Sequence, residues 1–381
     1  MNSERPIRLS VVYEFAGQPD HMMQSLLDGL QELLPGIRFT FLPGLIAKYR
    51  PGGLRPERLL NLAWVYLRVA VHLLFRRTDA VLVHTAPPGI QLWAVSLATV
   101  GKVPVFCWLM DYHPEIEARR LERHAFGIAA RLLRGVDARL MPRFALIIAL
   151  DPAMAALARA RSSPIKVLEH PTWGMNGTAA VTPVSYNPAR SDGSLRLAYS
   201  GNLGAAHDLD PLRRLLAAVA IRRPVCLCVI GASPAGEGRF RDLCAELGLS
   251  VEMSPRVPFS ELRGLYEARR INAGIVLLSE ESAGLASPSK FSGYINFGLP
   301  FVYLGPSGTN AATVCLQYNG GFWLPPRAGS AEIDFVAAAL LDEGRMASAA
   351  AGARTAAEHF AGFNGRSLAK ALAPHVIGNL P

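Results

Sequence analysis

The sequence predicts an α/β protein built from two Rossmann-like, doubly wound domains, and three observations predict it. Its 381 residues exceed what one hydrophobic core fills, because single cores stop growing at about 250–300 residues. Short apolar, β-branched runs alternate with helical stretches, the pattern of parallel strands covered on both faces. The alternation lapses over residues 171–194, a stretch rich in Pro, Gly, Ser and Thr, and then restarts. The domains are therefore placed at 1–170 and 195–360, with a linker at 171–194 and a C-terminal helix over 361–381 that returns to the N-terminal domain. Ligands of such sheets sit beyond the carboxyl ends of the strands, so two of them facing each other predict an interdomain cleft.

The elements follow in order. Residues 7–13 read as a strand, 14–20 as a Gly- and Pro-containing loop, 22–34 as a helix and 37–42 as a second strand. A long apolar helix over 57–77 precedes a strand at 80–84, a helix at 89–100 and a strand at 103–110. A basic helix over 115–134, a strand at 145–150, a helix after Asp151 and a strand at 165–168 complete the first half. In the second half, strands at 195–200, 225–230, near 251, 273–278 and 301–304 alternate with helices at 208–221, 236–247, 259–269 and 289–297. Ala-rich helices fill the remainder to about residue 377.

Composition removes several classes. Half the residues are hydrophobic and 18% are charged, which excludes a disordered chain, and 34 Gly and 28 Pro spread along the length exclude collagen. Five cysteines, at 107, 226, 228, 244 and 315, form no C-x-x-C pair, so reduced, buried thiols and no structural zinc are expected. Residues 1–15 hold no apolar signal-peptide core. Residues 59–75 are interrupted by Asn61, Arg68 and His72, and 86–110 by prolines, Gly101 and Lys102, so neither is expected to span a membrane. The net charge of +9 is lopsided: residues 1–190 hold 22 Lys+Arg against 14 Asp+Glu, the rest 17 against 16. One domain is thus expected to face something anionic.

Four segments carry candidate chemistry. Tyr199-Ser-Gly-Asn-Leu-Gly204 ends the strand that opens the second half, where small residues expose backbone N–H groups to a phosphate. Around Pro288-Ser-Lys290 a helix begins, and an ammonium there suits an anion; Tyr294 and Gly298-Leu-Pro300 follow. His84-Thr-Ala-Pro-Pro88 and Met110-Asp-Tyr-His-Pro-Glu115 lie at strand ends, which makes Asp111, His113 and Glu115 candidates for polar contacts or acid/base work. The Gly231-Ala-Ser-Pro-Ala-Gly236 loop also follows a strand. Asn176-Gly-Thr178 matches a glycosylation sequon by accident of a linker.

In this order, these segments resemble the family-four glycosyltransferases of the GT-B fold, in the branch of bacterial cell-surface polysaccharide and lipid-linked sugar assembly. The resemblance spans residues 80 to 305. It implies transfer of a sugar from a nucleotide-diphosphate sugar, with retention of configuration and without a catalytic metal or other cofactor. It further implies that Ser200, Gly201, Asn202, Gly231, Ser289 and Lys290 hold the donor, with Gly17 closing over its phosphates. Lys290 would stabilise the leaving diphosphate, and Asp111 and His113 would act on the acceptor side beside His84, Thr85 and Glu115. The sequence departs from the family at Gly293 and Leu285, where glutamates are usual, and at Asn202 and His207, near which a basic residue is usual.

Two basic-apolar segments belong to the first half. Residues 58–77 place Arg58, Asn61, Arg68, His72 and Arg76 along a polar stripe and are expected to pack between the sheet and its neighbours. Residues 119–143 hold seven arginines with apolar residues between them and suit an anionic membrane surface. The expected partners are a nucleotide-sugar donor, a lipid-linked or saccharide acceptor and that membrane surface, with no nucleic acid, on the cytoplasmic inner face of a plasma membrane. A sugar-nucleotide epimerase on the same fold and a non-catalytic GT-B partner subunit are the alternatives.

Overall fold

The computed structural model describes residues 5–13, 20–44, 56–161, 166–173 and 193–379, the side chain of Arg58 excepted. The chain divides into two compact units, one within Met1–Pro171, Gly284–Ser287 and Phe363–Pro381, the other within Thr172–Ala283 and Pro288–Gly362. The first contains β1 (Arg8–Val12), α1 (His21–Leu33), β2 (Arg38–Leu42), α2 (Pro56–Phe75), β3 (Ala80–His84), α3 (Ile90–Val100), β4 (Val105–Trp108), α4 (Glu115–Arg123), α5 (Gly127–Leu140), β5 (Leu146–Ala149), α6 (Pro152–Arg161) and β6 (Val167–Glu169). The second contains β7 (Leu195–Ser200), α7 (Asp210–Ala220), β8 (Val225–Ile230), α8 (Pro234–Glu246), β9 (Ser250–Ser254), α9 (Phe259–Ala268), β10 (Ala273–Leu277), α10 (Lys290–Asn296), β11 (Phe301–Leu304), α11 (Asn310–Gln317), β12 (Gly321–Leu324), α12 (Ser330–Leu341) and α13 (Glu343–Ala361). A last helix, α14 (Gly365–Gly378), belongs to the first unit.

Each unit is one parallel sheet of six strands, in the orders β2-β1-β3-β4-β5-β6 and β12-β11-β10-β7-β8-β9. The order reverses between β1 and β3 in the first sheet and between β7 and β10 in the second. Those are the switch points, where a doubly wound sheet binds its ligand beyond the strand ends. Strands β4, β8 and β10 are buried along their whole length, which is why they read as unbroken apolar runs rather than alternating ones.

Two elements differ from the sequence reading. The basic helix expected over 115–134 is two helices, α4 and α5, separated where Ala125 takes φ +64°. Strand β12 was not expected; it is four residues long, lies at the sheet edge beside β11, and follows Asn319-Gly320.

Helix α14 lies against α1 at backbone contact. A Cβ on Gly365 would stand 2.2 Å from Ser25 Oγ and 2.3 Å from its carbonyl carbon, and one on Gly29 2.9 Å from Ala369 Cβ. Gly365→Ala is therefore expected to destabilise the first unit by about 1–3 kcal/mol, the range for overpacking. Denaturant unfolding followed by circular dichroism checks it; an unchanged midpoint would contradict the close packing.

Helix α2 packs against β2 and α3, as the sequence suggested, but its polarity is partly inverted. Asn61 is fully buried beside Val65 and Val69. His72 Nε2 lies 2.8 Å from Ser10 Oγ, and Arg68 donates to the carbonyls of Pro43 and Phe41. The outward face carries Leu60, Trp64, Leu67, Val71 and Leu74, spaced four and three apart and all exposed, with Phe75 79% exposed. On α5, Ile128, Leu132 and Val136 are exposed among the exposed Arg131 and Arg139. No helix among the described residues is long and apolar enough to cross a membrane.

Candidate functional site

The second unit gathers its candidate residues at the carboxyl end of β7, next to the switch point. Gly201, the first residue past β7, has φ +113°, and its N–H donates to Ile230 O at 2.8 Å. A Cβ there would lie 2.8 Å from Lys290 Cε, so only glycine lets the lysine stem pass over the turn. Lys290 opens α10, and that helix is aimed by the side chain one turn on. Tyr294, fully buried, donates to Ala198 O at 2.8 Å, accepts from Ser200 N at 3.1 Å and stacks on Tyr266. Ser200 Oγ is 2.6 Å from the Tyr266 hydroxyl. Ser200 thus ties the end of β7 to α10 through its N–H and to α9 through its hydroxyl.

The half-buried ammonium of Lys290 lies 3.2 Å from His207 Nε2 and 5.3 Å from the centre of the Tyr199 ring. Among the described residues no carboxylate pairs with it. Burial lowers its pKa to about 8. Burial and the neighbouring lysine lower that of His207 to about 4, so the ring is neutral at pH 7. His207 Nδ1 lies 2.9 Å from Gly204 N and 3.3 Å from Gly204 O, and its Nε2 faces the Lys290 ammonium, which can only donate to it. An ammonium has three N–H groups, and among the described residues the neutral His207 ring is the polar side chain within hydrogen-bond distance of it. An oxyanion would complete that arrangement, which is what a diphosphate supplies.

The other expected donor residues take more local roles. Asn202 Oδ1 accepts from Ser233 N at 3.2 Å and so ties the turn after β7 to the loop after β8. Gly231, at φ +72°, donates its N–H to Ser254 O at 2.9 Å. Ser289 is exposed at the start of α10 and does not cap it with its side chain; its carbonyl accepts from Ser292 Oγ at 2.8 Å. Gly17 lies outside the described residues. The sequence reading missed Tyr199, His207, Tyr266 and Tyr294 as a supporting set, and missed Arg239 on α8, whose charge acts on both His207 and Tyr199.

In the first unit, Thr85 and Asp111 meet at the carboxyl ends of β3 and β4. Thr85 is buried, and its Oγ1 accepts from Met110 N at 3.0 Å and Asp111 N at 3.4 Å. Burial raises the Asp111 carboxyl above its ordinary value. His113 Nδ1 lies 2.7 Å from Glu117 Oε1, and its carbonyl accepts from Gln91 Nε2 at 2.6 Å. His84 packs edge-on against Trp108, and burial lowers its pKa to about 4. Glu115 differs from the expectation that it faces the acceptor. It is 3% exposed, and its carboxylate is held by Arg119 at 3.1 Å, Arg134 at 2.9 Å and Arg161 at 2.7 Å. Those contacts outweigh desolvation and hold its pKa at about 2. Glu115 joins α4, α5 and α6 as a structural anion.

No protein-family model matches the chain, and no curated protein matches it. Solved structures do. A sucrose-phosphate synthase from Thermosynechococcus elongatus is 14% identical, with 97% of this chain and 98% of that one covered at a TM-score of 0.68. WaaG, a glycosyltransferase involved in lipopolysaccharide biosynthesis, is 14% identical over 98% of this chain and 100% of that one, with a TM-score of 0.62. HepE from Anabaena, in complex with UDP-glucose, is 13% identical over 98% and 100%, also at 0.62. Two six-stranded parallel sheets in these strand orders, matched along nearly the whole length of each neighbour, give this chain the GT-B fold.

Proposed function

We propose that this chain is a retaining, metal-independent glycosyltransferase that moves a sugar from a nucleotide-diphosphate sugar onto a lipid-linked or membrane-proximal acceptor. The observation that carries this reading is the Lys290 ammonium, held over the Gly201 turn with no carboxylate partner among the described residues. As the donor's glycosidic bond breaks, charge grows on the departing diphosphate, and a preorganised cation beside it stabilises that charge more than the ground state. Lys290 is fixed from below by Tyr294, so it does not need to reorganise. The departing phosphate takes the acceptor proton, which leaves Asp111 and His113 the task of orienting the acceptor. The HepE structures hold UDP or UDP-glucose, which supports this class of donor.

The first unit supports a membrane-proximal acceptor. The inverted face of α2, with Trp64 among leucines, and the Arg-flanked apolar stripe of α5 have the composition of interfacial helices on anionic lipid. Vesicle flotation tests this: the chain is expected to float with anionic vesicles, and Leu67→Asp/Val71→Asp to sediment. Both positions are exposed, so the fold is spared. Equal flotation of the two proteins would contradict the assignment.

The reaction itself is tested with a panel of nucleotide sugars and membrane extract as acceptor, followed by release of nucleoside diphosphate. Transfer with one donor supports the reading; binding without turnover would favour a non-catalytic partner subunit. The pH dependence has a defined sign. The ligand-free ammonium titrates at about 8, and a diphosphate favours the charged form. Diphosphate affinity is thus expected to be flat below pH 8 and to fall by about tenfold per unit above it. Calorimetry across pH 7–10 checks this; affinity independent of pH would contradict a Lys290–diphosphate contact.

A further inference from the structure

We propose that Cys226, Cys228 and Glu252 form a binding site for a thiophilic divalent cation of the zinc type, at the β8–β9 side of the second sheet. The two cysteines are two apart on β8, so their side chains leave the same face of the sheet. The register places Glu252 of β9 directly opposite Cys228. Cys226 Sγ lies 3.7 Å from Glu252 Oε1 and Cys228 Sγ 3.8 Å from Oε2, and the three ligand atoms all lie within 4.8 Å of one another. A tetrahedral zinc site has ligand–ligand edges of about 3.5–3.8 Å, given Zn–S near 2.3 Å and Zn–O near 2.0–2.2 Å. The donors therefore stand close to their bound spacing, with a fourth position left for water.

Charge is consistent with this. Arg196 pairs with Glu252 Oε1, and Arg269 lies 3.2 Å from Oε2. With two thiols, one carboxylate and two guanidiniums the cluster carries a formal charge of about +1. Exchanging two thiol protons for one divalent cation leaves that charge unchanged, so the neighbouring arginines do not bar the ion. Each carboxylate oxygen has two lone pairs and can hold a guanidinium and a cation together. Arg196 Nη2, 3.7 Å from Cys228 Sγ, would then donate to a bound thiolate, as partners of metal ligands do. Both cysteines are buried, while the Glu252 side chain is 40% exposed and gives the ion a way in.

The test uses the full-length chain, metal-free and reduced, titrated with Co2+ while thiolate-to-cobalt charge-transfer absorption is recorded. The expected result is one equivalent bound, displaced by Zn2+. Cys226→Ala and Cys228→Ala are each expected to bind roughly tenfold more weakly or worse. Glu252→Gln, altered at a part-exposed side chain, is the variant that keeps the fold and is expected to weaken binding as well. No charge-transfer band in the wild-type chain would overturn the proposal. So would an equal band in the Cys226→Ala/Cys228→Ala chain, because the signal would then come from Cys107, Cys244 or Cys315. Nucleoside-diphosphate binding is read separately, so failure here leaves the donor-site reading standing.

Discussion

Lys290→Ala is expected to lower glycosyl transfer by about 10²–10³-fold, the usual loss when one preorganised group that stabilises transition-state charge is removed. The loss should fall mainly on turnover, because charge on the diphosphate is greatest as the sugar departs. Stability should not fall with it. The ammonium is half-buried with no carboxylate beside it among the described residues, and burial has already lowered its pKa to about 8. The ligand-free fold thus holds this charge at an energetic cost, and alanine relieves it. A variant that is nearly inactive yet at least as resistant to urea as the wild type is the expected outcome, since active sites commonly trade stability for function. Lys290→Arg should not rescue fully, because a planar guanidinium does not place its charge where the compact ammonium stands. A variant that turned over as fast as the wild type but unfolded at lower urea would mean that Lys290 serves the core instead.

Glu115→Ala is expected to show the opposite pattern. The carboxylate is shared by Arg119, Arg134 and Arg161, and Arg161 also pairs with the fully buried Asp137 at 3.2 Å. Removing it takes away the buried carboxylate that joins three guanidiniums where α4, α5 and α6 meet, and leaves Arg134 to Glu122 and Arg161 to Asp137. Breaking a buried ion pair in this way costs about 3–5 kcal/mol, far more than a surface pair is worth. The first unit should unfold at markedly lower urea, while the folded fraction still binds nucleoside diphosphate through the second unit. The pH dependence has the carboxylate sign. The folded pKa of about 2 lies below the ordinary 4.5, so the contribution of Glu115 is complete above about pH 4.5 and is lost as pH falls toward 2. Urea midpoints of wild type and Glu115→Ala should therefore differ less at pH 3 than at pH 7.

Glu115 also shows where the sequence stops being informative. A carboxylate just after a strand and a proline looks the same in one dimension whether it faces a ligand or three arginines. Arg134 and Arg161, the partners that decide between those roles, are 19 and 46 residues away. Lys290 was legible because a lysine at a helix start conflicts with the local dipole unless an anion compensates, a conflict visible in the residues themselves. Its supports, Tyr294, Tyr266 and His207, were not, because aromatic stacking and hydrogen bonds across a sheet edge follow from strand order. The strand–helix alternation gave both sheets, since fully buried parallel strands are continuous apolar runs. It missed β12, whose four residues are too few to establish a period. For α2 the pattern revealed a polar stripe but not its direction; Ser10 and the β2 carbonyls, which turn His72 and Arg68 inward, come from other elements. The C-x-C of β8 likewise carries no metal signature until the register places Glu252 opposite it.

The central claim, that a diphosphate is held by Lys290 at the Gly201 turn, is tested most directly by calorimetric titration at pH 7 with UDP, GDP and ADP, on wild type and Lys290→Ala. The account predicts saturable binding of at least one of them, weakened by about 10-fold or more in the variant, as for loss of a hydrogen bond to a charged group. Binding of equal strength in the two proteins, or of none of the three nucleotides to the wild type, would contradict it.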